Sequence, residues 1–120
     1  MTLANAVNSH EYPVTGSTSD VSAPTSNAAA TVTYAAAGAN VSHCVGQIAW
    51  SYNGTPTGGN LTIQDGSGNV IFSVDITNGG PGVFTFAPPK KGTANNALIV
   101  TLAAGGSGVS GKLSCTHWTE

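Results

Sequence analysis

Arginine is absent, and three lysines and five carboxylate side chains are the only full charges in 120 residues. No forked guanidinium is on offer to a phosphate, and a net charge of -2 leaves no basic stripe for nucleic acid or for an anionic membrane surface. No apolar run approaches the roughly 18 residues that cross a bilayer, so no membrane partner is expected. The opening stretch MTLANAVNSHEY has neither a basic nor an apolar leader segment, which points to synthesis in a cytoplasm. Helical periodicity is missing as well: the alanine-rich stretch from Ala35 to Ala39 is short and is interrupted by Gly38.

Catalytic equipment is equally sparse. The carboxylates are Glu11, Asp20, Asp65, Asp75 and Glu120; Glu11 and Asp20 fall in the irregular N-terminal stretch and Glu120 is the last residue. A fixed acid pair for glycoside cleavage is therefore not expected. Serines are plentiful, yet none sits in a G-x-S-x-G elbow between a strand and a helix. The turn GGSGVSG (105–111) lacks the Lys-Ser/Thr pair that would hold a phosphate. These absences lead to the expectation of a protein that is not an enzyme and takes no cofactor.

What the chain does have is alternation. TVTY (31–34) begins a period of two, and VSHCVGQIAWSY (41–52) places Cys44, Gly46, Ile48, Trp50 and Tyr52 on one expected face. In NLTIQDGSGNVIFSVDI (60–76), Leu61 and Ile63 alternate with polar residues, and Val70, Phe72, Val74 and Ile76 share a face opposite Ile71, Ser73 and Asp75. The DGSGN between them is a hairpin turn. Its oxygens resemble the start of a calcium loop, but Val70 and Ile76 stand where such a loop needs glycine and glutamate. VFTF (83–86) is a further strand, expected to end at Pro88-Pro89 because neither can donate to a ladder. ALIVTLA (97–103) and VSGKLSCTHW (109–118) complete a set of seven short strands. The fold class read from this pattern is all-β, an antiparallel β-sandwich over 29–120 with jelly-roll topology as one option.

Residues 1–28 show no sustained period and are rich in Ser, Thr, Asn and Ala, so they read as a flexible N-terminal arm. The arm is either a disordered tail or a segment that orders on a neighbour, with His10 and Tyr12 as its candidate partner contacts. Lys90 and Lys91 form the only basic cluster, read as a solvated loop or as a contact to an acidic neighbour. Trp118, with no pattern around it, is a candidate interface residue, whereas Trp50 alternates with Ile48 and reads as core before it reads as a sugar-stacking platform.

His43-Cys44 and Cys115-Thr116-His117 together invite a zinc reading. Neighbouring side chains on a strand point to opposite faces, so His43 and Cys44 do not easily share a site and no metal is expected. Cys44 and Cys115 are read as inward-facing, either as buried free thiols or as a disulfide outside the cell. In the chain-entropy view, such a bond closing a ~70-residue loop would contribute about 4 kcal/mol.

Residues 50–113, through the paired strands around DGSGN, GGPGVFTFAPP and the closing ALIVTLAAGGSGVSGKL, resemble small virion surface proteins of tailed bacteriophages, of the decoration or head-fibre type. The resemblance implies a homo-oligomer, a trimer favoured, that binds the outside of an assembled head. Its partner would be the major capsid protein, and its location the virion surface after synthesis in the host cytoplasm. A neutral surface rich in hydroxyls and amides suits many weak contacts made at once. Tail-fibre tips share the same style of turn, so the alternative is a lectin-like module that binds host-surface glycan.

Overall fold

A computed structural model describes residues 16–120, and the expected contacts His10 and Tyr12 lie outside the described residues. Eight strands follow in order: β1 (Thr18–Ser22), β2 (Ala30–Tyr34), β3 (His43–Tyr52), β4 (Asn60–Asp65), β5 (Val70–Asp75), β6 (Gly82–Lys91), β7 (Leu98–Leu102) and β8 (Gly111–Thr119). They form two four-stranded antiparallel sheets, β1-β8-β3-β6 and β2-β7-β4-β5. Each strand of the first half is laddered to one of the second, 1 with 8, 2 with 7, 3 with 6 and 4 with 5, as if one long ribbon had been folded back along its length.

Both sheets contribute to one core. Val45, Ile48, Trp50, Leu113 and Cys115 come from the first sheet, and Val32, Leu61, Ile63, Leu98, Val100 and Leu102 from the second. These are the β-branched and large aliphatic residues that pack well on a pleated surface. The β4–β5 hairpin turns where the sequence places it: Gly66 and Gly68 have φ of 76° and 86°, and Asp65 N–H donates to the Asn69 carbonyl at 2.8 Å. Trp50 is core, 8% exposed, and it lies so close under β6 that a Cβ on Gly82 would stand 2.5 Å from its indole. Only glycine permits that approach.

Four expectations need correction. First, the sheet begins inside the expected arm, because β1 (Thr18–Ser22) pairs with β8 along its whole length. Secondly, β6 continues past Pro88-Pro89 to Lys91. The β3 ladder runs from Gln47↔Thr85 to Val45↔Lys90, so the prolines occupy an irregular stretch of an edge strand where no ladder donor is required. Lys90 and Lys91 are therefore strand residues, not loop residues.

Thirdly, β3 carries a bulge between Val45 and Gln47. One extra residue there reverses the parity of everything before it. Val45 joins the core with Ile48, and Cys44 turns to the face away from it, opposite Trp118. The two cysteines thus lie on different faces of one sheet; both are buried free thiols. Fourthly, a register shift between Ile63 and Gln64 displaces β5, leaving Val70 50% exposed and packing Ile71 against the core.

Candidate functional site

β1 and β2 are the edge strands of their respective sheets and lie side by side along one flank of the core. The residues that close this flank are polar. His43 and His117 are buried, 5% and 8% exposed, and their Nδ1 and Nε2 atoms lie 2.8 Å apart. His43 Nε2 is 2.6 Å from the Ala35 carbonyl oxygen. Tyr34 stacks flat on His117, with centroids 3.7 Å apart and an interplanar angle of 6°. Its hydroxyl donates to Asp20 Oδ2 at 2.7 Å, and Thr18 Oγ1 donates to the same oxygen at 2.7 Å. Thr18 Oγ1 also lies 3.4 Å from His117 Nδ1.

The local sequence explains the assembly. Cys115 and His117 share the inward face of β8, as alternation requires, and the β3 bulge brings His43 onto the inward face with Val45. Asp20 sits on β1 opposite Cys115, and Thr18 opposite His117. Electrostatics follow from these contacts. The hydrogen bonds from Tyr34 and then Thr18 hold the Asp20 carboxyl below its usual range. Burial, followed by the Asp20 bond, pushes the Tyr34 phenol far above its own. Burial and the neighbouring His43 lower the His117 pKa, with Asp20 opposing. Burial pushes the Cys115 thiol up to about 12. The phenol and the thiol of this cluster are thus held in their neutral forms.

A second polar group lies on the far face of the same sheet. Glu120 Oε2 accepts from Trp118 Nε1 at 3.0 Å and from Cys44 Sγ at 3.5 Å, and Lys91 Nζ pairs with Oε1 at 3.5 Å. The Trp118 bond is the largest cause of the lowered Glu120 pKa, while burial pushes the Cys44 thiol up to about 11. Trp118, expected as an interface residue, is 5% exposed. Lys90 lies over the rings of Phe72 and Phe86, 5.8 and 5.6 Å from their centroids.

A third polar site was hidden in the hairpin. Asp65 Oδ1 accepts from Thr93 N at 2.9 Å and Asn96 Nδ2 at 3.3 Å, and Oδ2 accepts from Thr93 Oγ1 at 2.6 Å. Burial opposes its ionisation, yet the Thr93 and Asn96 bonds together hold its pKa below the ordinary value. Asp65 thus pins the β6–β7 loop. Among the described residues, no group of three or more His, Cys, Asp or Glu side chains is placed to hold a metal ion.

At the opposite end of the molecule an open depression is lined by Ser51, Tyr52, Asn53, Ser110 and Lys112. The Tyr52 hydroxyl is already committed to the Ala103 carbonyl at 2.7 Å. In the sequence, His43 and His117 come together only as candidate metal ligands, and Asp20 falls in the expected arm. The inward period shared by Cys115 and His117 was the one signal that pointed to the cluster. No helix among the described residues is long and apolar enough to cross a membrane. In comparison with known proteins, no family model, curated protein or solved structure matches this chain.

Proposed function

We propose that this chain is a structural virion protein, a jelly-roll module that binds the outer surface of an assembled bacteriophage head and stabilises it. The observation that carries the reading is the strand order: two antiparallel sheets, β1-β8-β3-β6 and β2-β7-β4-β5, laddered as a ribbon folded on itself. That pairing supports reading the two sheets as a jelly roll, an architecture used by viral capsid and lectin domains. The charge-poor skin supports the same reading. A cement protein needs shape and many simultaneous weak contacts, which together hold where a single contact would not. A trimer contacting the major capsid protein is the assembly we favour.

The lectin reading has less behind it. Stacking on a sugar needs an accessible indole or phenol face, whereas Trp50 and Tyr52 are each 8% exposed. The deciding experiment mixes the purified protein with empty, expanded heads of a tailed phage that carries its gene. Depletion from the supernatant on sedimentation, saturating at a fixed number of copies per head, is the expected result. Protein left entirely in the supernatant overturns the proposal, and glycan-array binding in its place would favour the lectin-like module.

A further inference from the structure

Head binding gives no reason for two buried imidazoles in mutual contact, and counting their protons shows what such a pair can do. The Ala35 carbonyl can only accept, so His43 Nε2 carries a proton and, in the neutral ring, His43 Nδ1 is an acceptor. The hydrogen facing it across 2.8 Å must then come from His117 Nε2, which leaves His117 Nδ1 bare toward Thr18 Oγ1. One added proton fits at that bare nitrogen without breaking anything. Thr18 Oγ1 then accepts a hydrogen bond from His117 Nδ1–H while it keeps donating its own hydrogen to Asp20 Oδ2, whose negative charge favours the arrangement. The bridging hydrogen between the rings serves whichever imidazole bears the charge.

A second proton has no such place. It would put two N–H groups nose to nose in a 2.8 Å gap and two like charges on rings whose centroids are 4.9 Å apart. We propose that His43 and His117 form an acid-sensitive clasp on the β1–β2 flank: the pair takes one proton in place and opens on taking the second, releasing β1 and the segment around Ala35. The groups that face the pair are Asp20 and Thr18 from β1, Tyr34 and the Ala35 carbonyl from the β2 side, and Cys115 from β8. On the other face of the sheet are Cys44, Lys91 and Glu120, with Glu120 drawn to Trp118 and Lys91. Asp65 lies on the core-facing side of β4, in the same ladder row as Tyr34, but spends its oxygens on Thr93 and Asn96. Asp20 is the carboxylate that bonds to the clasp, and it supports one positive charge, not two. β1 is the element that must yield, because it is an edge strand laddered to β8 alone.

The test is a nitrogen-detected NMR titration of the imidazoles in the full-length protein from about pH 8 to about pH 4.5, with amide hydrogen exchange of β1 followed in parallel. The His10→Gln variant assigns the third histidine. Above neutrality both His43 and His117 are expected as Nε2–H tautomers. On acidification His117 Nδ1 gains the first proton with β1 still protected, and the second protonation coincides with loss of β1 protection of at least tenfold after correction for the intrinsic rate. Two rings that titrate independently of each other, or β1 protection that stays flat throughout, overturns the clasp. The His117→Phe variant, which keeps a ring for Tyr34 to stack on, should lose the pH dependence of β1 exchange. An unchanged dependence in that variant also overturns it. If His117→Phe does not fold, the titration of the unaltered protein decides alone.

Discussion

The two flanks of the core are closed by opposite means. Between β5 and β6 the seam is hydrocarbon: Phe72 meets Phe84 and Phe86 edge-on, with centroids 5.5 and 4.9 Å apart, and Lys90 lies over the rings. Between β1 and β2 the seam is a chain of hydrogen bonds from Ala35 through His43 and His117, and from Tyr34 to Asp20. Edge-to-face rings add about 0.5–1.5 kcal/mol per pair beyond their burial. That stabilisation does not depend on pH. The polar seam contributes only while each donor keeps its acceptor, and every member of it titrates or touches a group that does. One molecule thus carries a permanent seam and a conditional one.

The contrast breaks most visibly at Phe86. Phe86→Ala should cost about 3–5 kcal/mol in urea unfolding, by the same amount at neutral and mildly acid pH; a cost that grows with acid would mean that the aromatic seam is not independent. Asp65→Ala, which orphans Thr93 N and frees the loop, is expected to cost about 2 kcal/mol, and hydrogen exchange should localise the loss to residues 92–97. Tyr34→Phe keeps the stack on His117 and deletes the hydroxyl. About 1 kcal/mol is expected, together with an Asp20 carboxyl that titrates closer to 3.8.

The pH dependence sharpens the comparison further. Because the folded protein holds the His117 pKa below 6.5, the unfolded chain binds more protons as pH falls below that value, and stability declines with acid. Asp20, Asp65 and Glu120 have folded pKa values below 3.8, 3.8 and 4.5. Their stabilisation is complete above those values and is lost as pH falls through the lower folded ones. A thermal-unfolding series should therefore show two separate declines, the first absent in His117→Phe. The smallest effect belongs to the Lys91–Glu120 pair, whose side chains are half exposed. Lys91→Ala should change stability by less than about 0.5 kcal/mol.

The same contrast explains what could be read in advance. The aromatic and aliphatic half of the structure announces itself: the hairpin of β4 and β5, Ile48 and Trp50, and ALIVTLA all alternate or run apolar as buried strands must. β1 does not, because TSDVS carries one apolar residue and that residue, Val21, points outward at 65% exposure. Its inward positions are the polar ones that build the cluster. The bulge in β3 is equally silent in the sequence; Gly46 allows it, but nothing local demands it, and the faces of His43 and Cys44 depend on it. Pro88-Pro89 reads as a stop because ladder arithmetic assumes a partner on both sides, whereas β6 is an edge.

The ladder Thr18↔His117 fixes where the chain enters and leaves. The backbone arriving at β1 and the backbone departing from β8 pass through the same end of the molecule, beside the paired imidazoles. The connections 53–59, 77–81 and 103–110 gather at the far end, joined by bonds such as Thr57 N to Gly105 O and Tyr52 N to Gly79 O. A label or tether attached just after β8 would therefore hold the molecule by one pole and leave the other facing outward. Cargo for display belongs in those distant connections, and an anchor after β8 pulls on the strand to which the acid-sensitive β1 is laddered.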